Sequence, residues 1–241
     1  MAESKPFLFV HGACHGAWCW ERVLDLLRVA GRDAYAIDLP GHGARAAEAA
    51  GARLPDYTRA VVGFIEELDL RGVVLVGHSM GGIVLQTAAE QAAERLAHLV
   101  FLAAYVLQDG ESLMGLSRPE TQRQWAELAA ASANQTVTLP TELPIVRWMN
   151  RCERADLAWA LPRLTPQPWL PVSEPVTLRR FPDVGLPMTY LVCSDDRGLT
   201  PERCRRYAAR LPHARLRTLD GDHDIMISNP QALAAALLEL G

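Results

Sequence analysis

The run Val73-Val-Leu-Val-Gly77-His78-Ser79-Met80-Gly81-Gly82-Ile83 constrains this chain more than any other stretch. Val73 to Val76 read as a buried strand and Ile83-Val-Leu-Gln-Thr as the start of a helix, so Gly-x-Ser-x-Gly fills a very short connection. A turn that tight strains the backbone of its central residue and leaves no room for a Cβ on either side, which accounts for Gly77 and Gly81. Ser79, at the apex, is expected above the end of a sheet, with backbone N–H groups and the positive end of the helix facing any oxygen that reacts there. Adjacent residues at a sharp turn point apart, so His78 is expected to pack beneath the turn rather than act as a base.

Strand-like runs recur at Phe7 to Val10, Ala34 to Asp38, Leu99 to Ala103, Met188 to Cys193 and Ala214 to Leu219. Helical spacing fills Trp18 to Ala30, Tyr57 to Leu68, Glu202 to Leu211 and Pro230 to Leu240, and Gly31 closes the first of these as a C-cap. Strand alternating with helix predicts an α/β fold with a mostly parallel sheet of about six strands, covered on both faces. A length of 241 residues, 49% of them hydrophobic, suits a single domain over 1–241, with its core in 1–104 and 187–241. The intervening 105–186 is rich in proline and carries Trp125, Trp148, Trp159 and Trp169. It is too apolar for a solvated linker and too irregular to extend the sheet, so a mainly helical cap is expected there.

A serine hydroxyl needs a base within hydrogen-bond reach and a carboxylate to orient that base. Leu191-Val-Cys-Ser-Asp195-Asp196 and Leu219-Asp220-Gly-Asp222-His223-Asp224 each close a strand, where loops emerge at the carboxyl edge of a parallel sheet. His223 is the predicted base, and His213 is expected in a surface turn. Asp195 and Asp196 cannot both face an imidazole; Asp196 is preferred and Asp195 is the alternative. Asp222 and Asp224, as immediate neighbours of the histidine, are expected to form the turn and face solvent.

Just past the first strand, His11-Gly12-Ala13-Cys14-His15-Gly16 offers small residues whose backbone can approach a ligand. The amides of Ala13 and Met80 are the predicted oxyanion donors. The spacing of His11 and His15 lacks the helix and third ligand that zinc would need, so both are expected to brace the loop and no metal is predicted. No phosphate loop or dinucleotide fingerprint is present, and no cofactor is predicted.

A formal charge of -4, with neither sign gathered into blocks, gives no purchase to nucleic acid. The segment from Met1 to Val10 is too short in its apolar part for a signal-peptide core or a membrane span, so no membrane partner and a cytoplasmic location are expected. Cys14, Cys19, Cys152, Cys193 and Cys204 are odd in number and scattered, and are expected to be reduced.

The run His11-Gly-Ala-Cys-His-Gly-Ala-Trp18, the Gly77-His-Ser-Met-Gly81 turn and the Gly221-Asp-His223 ending resemble the plant methylesterase and hydroxynitrile lyase family of α/β-hydrolases, and its bacterial esterase relatives, over nearly the whole chain. The resemblance implies an α/β-hydrolase fold that lacks an N-terminal hairpin, the triad Ser79, Asp196 and His223, a helical cap and a homodimer. The spacing to His223 fits that family better from Asp196 than from Asp195. It implies hydrolysis of a small-molecule carboxylic ester through an acyl-enzyme. The cap tryptophans point to a methyl ester of an aromatic or polyketide-like acid, with Gly12, Tyr105, Trp125 and Trp148 as candidate pocket residues. Two rival readings share the scaffold: a non-hydrolytic reaction such as cyanohydrin cleavage, cyclisation or cofactor-free oxygen chemistry, and a hydrolase-derived ligand receptor. Hydroxynitrile lyases carry a side-chain donor where Gly12 stands, and the S-selective ones a lysine where Asp224 stands, so lyase activity is disfavoured. Ser79 stands where haloalkane dehalogenases and epoxide hydrolases use an aspartate, which argues against both.

Overall fold

The computed structural model describes residues 5–240; the reading of the first four residues lies outside them. Strand and helix alternate through β1 (Phe7–Val10), α1 (Glu21–Val29), β2 (Ala34–Ile37), α2 (Leu54–Glu67), β3 (Val73–His78), α3 (Gly81–Ala92) and β4 (Leu96–Leu102). An insertion follows, with α4 (Pro119–Ala131), β5 (Thr136–Val137), α5 (Glu142–Arg147), α6 (Arg154–Ala160), β6 (Gln167–Pro168) and α7 (Leu170–Ser173). The alternation resumes with β7 (Met188–Cys193), α8 (Pro201–Ala208), β8 (Arg215–Leu219), α9 (Ile225–Ser228) and α10 (Pro230–Leu238).

Six strands form one parallel sheet in the order β2-β1-β3-β4-β7-β8. Every residue of β1, β3 and β7 is buried, as continuous apolar runs covered on both faces must be. The helices are amphipathic by the same logic: α1 buries Val23, Leu24 and Leu27 and leaves Glu21 and Asp25 outside, and Gly31 at φ +75° ends its run.

The first crossover runs from β1 out to β2, and the later ones run the opposite way. Because such crossovers are right-handed, this reversal puts α1 on one face and α2 and α3 on the other. The strand order therefore switches between β1 and β3, the place where open parallel sheets bind ligands. Register brings the functional loops level: Val10 pairs with Gly77, His78 with Leu102, and Cys193 with Leu219.

The insertion is a set of short helices with a two-stranded antiparallel ribbon, Thr136 opposite Pro168 and Val137 opposite Gln167. Strands of two residues carry no readable period, and the sequence gives no sign of this ribbon. The insertion is sewn to the loops at the sheet edge. Thr165 N donates to Cys14 O at 2.9 Å, Arg151 N to Asp222 Oδ2 at 2.8 Å, and Arg147 Nε to Arg197 O at 2.6 Å. No described helix is long and apolar enough to cross a membrane.

Candidate active site

Ser79 has φ +52°, a left-handed conformation that a non-glycine residue holds only when its surroundings fix it. They do: Ser79 N donates to Leu102 O at 3.1 Å, and Ser79 O accepts from Gly82 N at 3.1 Å and Tyr105 N at 3.0 Å. A Cβ on Gly77 would stand 2.7 Å from Gly81 O, and one on Gly81 would stand 2.7 Å from Val10 O. Ser79 is half-buried while His78 and Met80 are fully enclosed. As expected, His78 lies under the turn, where its Nε2 donates to His223 O at 3.0 Å and its ring centroid is 4.5 Å from that of His223. Burial pushes the His78 pKa well below the ordinary histidine value.

The loop after β1 abuts the serine. A Cβ on Gly12 would come within 2.9 Å of Ser79 Cβ, so Gly12 lies against the candidate nucleophile and leaves no space for a side-chain donor. The peptide that carries Ala13 N–H is held by its other end, because Gly12 O accepts from His11 Nδ1 at 2.8 Å and from His15 N at 3.4 Å. In a trans peptide the N–H points away from the C=O, so these bonds fix the direction of the Ala13 amide. His11 Nε2 in turn accepts from Leu39 N at 3.1 Å. His15 likewise spends Nδ1 on Ala13 O at 2.8 Å and Nε2 on Asp224 Oδ2 at 3.1 Å, so both histidines brace the loop.

At the other side of the sheet edge His223 Nδ1 donates to Asp196 Oδ2 at 2.7 Å. Asp196 Oδ1 accepts from the amides of Gly198 and Leu199 at 2.8 and 2.7 Å, so the carboxylate is fixed before it meets the ring. Asp195 turns outward to Asn150 Nδ2 at 3.0 Å. Burial opposes charging of the His223 ring, but the Asp196 charge and hydrogen bond, with help from Asp224 and Asp222, leave its pKa raised above 6.5. No direct hydrogen bond joins Ser79 Oγ to His223 among the described residues; contacts of this type tighten when substrate binds. His213 sits in an exposed turn at φ +53°.

The expectation that Asp222 and Asp224 face solvent is wrong. Both are fully buried. Asp222 accepts from Ser228 Oγ at 2.6 Å and Arg151 N at 2.8 Å, and burial pushes its pKa up to about 6. Asp224 accepts from His15 Nε2 at 3.1 Å; burial alone would raise its pKa, yet His15, His78 and His223 hold it down at about 2. Asp224 found a buried partner 209 residues away, and Asp222 met Ser228 Oγ nearby and the Arg151 amide from the insertion; these contacts outweigh the turn preference.

The expected pocket residues separate. Gly12 touches Ser79. The Trp148 ring lies 6.3 Å from that of His223 and 5.7 Å from that of His15. Tyr105 joins the turn through its backbone, while its ring packs on Tyr207, 5.4 Å away. Trp125 is half-buried on α4, and no described contact ties it to Ser79. Trp159 packs edge-on against Trp18 and carries the guanidinium of Arg163 at 4.8 Å. A cavity of about 180 Å³ opens between Cys14 and the insertion, lined by Thr138, Leu139, Pro144, Leu161 and Leu164 among others.

Gln167 is a residue the sequence did not flag. From β6 its Oε1 accepts both Cys14 N at 3.1 Å and His42 Nε2 at 3.0 Å, holding Cys14 at φ +65° directly beside Ala13. Its setting between Pro166 and Pro168 hints at a turn and nothing more. The potential metal donors that gather among the described residues are His78, His223 and Asp224, with donor atoms within 4.8 Å of one another; His78 and His223 already spend a ring nitrogen on protein oxygens.

Known proteins are similar to this chain over nearly its whole length. Residues 7–236 match the model of the alpha/beta hydrolase family. Salicylic acid-binding protein 2 of Nicotiana tabacum is 31% identical over 100% of this chain and 98% of its own length. A carbendazim hydrolyzing esterase of Nocardioides sp. is also 31% identical, over 98% and 99%. An extracellular alpha/beta-hydrolase from a Paenibacillus species superposes with a TM-score of 0.91 at 27% identity, covering 98% of this chain and 99% of that one. The chain belongs to the alpha/beta hydrolase family, and within it to the methylesterase group.

Proposed function

We propose that this protein is a serine carboxylesterase that cleaves a small-molecule ester, with Ser79 as nucleophile, His223 as base and Asp196 as the acid that orients it. The observation that supports this most is the buried His223 to Asp196 hydrogen bond of 2.7 Å, on the loop beside a serine at φ +52°. His223 Nε2 takes the Ser79 proton as Oγ attacks the ester carbonyl, and the Ala13 and Met80 amides receive the developing oxyanion. The protonated His223 then gives its proton to the leaving alcohol. Water, activated by the same ring, attacks the acyl-enzyme and releases the acid with Ser79 restored.

The uncharged walls of the cavity beside Cys14, together with Trp148 near His223, support a methyl ester of an aromatic or polyketide-like acid. The crowding of Gly12 against Ser79 speaks against a lyase, which would need a side-chain donor there. The buried free thiols Cys14, Cys19, Cys193 and Cys204 suit a reducing compartment and support a cytoplasmic location. The insertion acts as a cap over the serine, and the family resemblance supports a homodimer.

The test is intact-mass analysis after treatment with a fluorophosphonate probe, with p-nitrophenyl acetate turnover measured in parallel. Wild type should gain one adduct and turn over ester, and Ser79→Ala and His223→Ala should lose both. Normal turnover by Ser79→Ala would end the proposal.

A further inference from the structure

His15 and Asp224 form a second buried imidazole–carboxylate contact in this site, and the mechanism above does not use it. Asp224 follows His223 directly and is completely enclosed. Its Oδ2 accepts from His15 Nε2 at 3.1 Å; its Oδ1 has no hydrogen-bond partner among the described residues and lies 3.8 Å from His78 Nε2. A carboxylate in that position carries a large desolvation penalty unless a donor compensates it, and His15 is the donor at hand.

His15 comes from the loop that carries the candidate oxyanion donor. Its Nδ1 donates to Ala13 O at 2.8 Å, and its backbone N donates to Gly12 O, the carbonyl of the peptide that carries the candidate donor Ala13 N–H. On the other side Asp224 N donates to Trp148 O at 3.0 Å, and Asp224 O accepts from Ile227 N and Ser228 N, which anchors the loop bearing His223. The His15 to Asp224 bond thus spans the loop after β1 and the loop after β8, which are 209 residues apart in the chain.

We propose that Asp224 is a positioning residue: through His15 it locks the oxyanion loop to the base-bearing loop, and its charge favours the protonated state of His223 during the reaction. This rests on the esterase reading above. The groups that face His223 are Asp196 from the loop after β7, Asp222 and Asp224 on its own loop, His78 at the elbow and, through Asp224, His15; the insertion contributes the uncharged Trp148. Asp224 is ionised across the working range, with its pKa held at about 2. Neutralising it removes one of the negative charges that raise the His223 pKa, so the acid limb of the rate profile moves to lower pH.

The experiment measures p-nitrophenyl acetate hydrolysis against pH for wild type, Asp224→Asn and His15→Gln, each checked by thermal melting and fluorophosphonate labelling. Asp224→Asn should lose kcat by on the order of tenfold, with KM within about twofold and the acid limb displaced to lower pH. His15→Gln should lose kcat similarly without that displacement, and the double variant should be no worse than the worse single one, because both break one link. A loss of packing alone would not move the acid limb. If Asp224→Asn does not fold, His15→Gln decides the matter, and wild-type kcat in that variant overturns the proposal. An active wild type with unchanged kcat and pH profile in Asp224→Asn overturns the positioning role alone; a wild type with neither label nor turnover overturns the esterase reading and this one with it.

Discussion

His223 Nδ1 stands 2.7 Å from Asp196 Oδ2, while Asp195, one residue earlier, points its carboxylate at Asn150. The difference lies in the backbone: Asp195 N is bound to Gly221 O at 2.9 Å, continuing the sheet for one more step, and the chain then turns so that Gly198 and Leu199 amides seat Asp196. Asp196→Asn should therefore lower kcat by roughly a thousandfold or more, since the imidazole loses the acceptor that fixes its tautomer. Asp195→Asn should stay within about threefold, as expected of a surface polar change away from the chemistry. Steady-state kinetics of the two variants side by side separates the candidates.

The pH dependence follows from the direction of the His223 shift. The proposed base works only when unprotonated, and His223 has a pKa raised above 6.5. Activity is therefore lost as pH falls through that raised value, and kcat/KM should reach half its plateau above pH 6.5. An acid limb centred below this value would remove His223 as the titrating base. The residual activity of Asp196→Asn should titrate lower, because the largest upward influence on the ring has gone.

At the elbow, steric room is the limiting quantity. A methyl on Gly77 would meet Leu85 Cδ1 at 2.4 Å and the Gly81 carbonyl oxygen at 2.7 Å, and of the two only the leucine can move. Gly77→Ala should cost about 2 kcal/mol of stability, in the range of overpacked cores. A urea unfolding curve with an unchanged midpoint would contradict this.

Gln167 offers a test of how the insertion supports the loop that carries the proposed oxyanion donor Ala13 N–H. Gln167→Leu leaves Cys14 N and His42 Nε2 buried without their shared acceptor, at a cost of about 2 kcal/mol. Because Cys14 is then less firmly held at its left-handed φ, kcat should fall as well while KM changes little. Unfolding curves and Michaelis kinetics on the same preparation check both effects.

Much of the site was legible in the residues because its constraints are local. The elbow announces itself through Gly77, Ser79 and Gly81, whose spacing is set by hard-sphere contact within one turn. The chain order of Asp196 and His223 at strand ends follows from the alternation of apolar runs, and the sheet needs nothing more than that alternation and the handedness of crossovers. The choice between Asp195 and Asp196 leaned on a resemblance, since neighbouring aspartates are identical in composition and pattern.

What the sequence by itself determined was the parallel sheet, the strained serine turn and the loops that meet it, because backbone sterics and hydrophobic period act over a few residues. What only the tertiary structure decided was which polar groups pair once water is excluded: Asp224 with His15, Asp222 with Ser228, Gln167 with Cys14. The first and last of these bonds join residues more than a hundred positions apart, 209 and 153 along the chain. No local propensity encodes such partners, and burial makes each pairing obligatory only after the fold has brought the groups together.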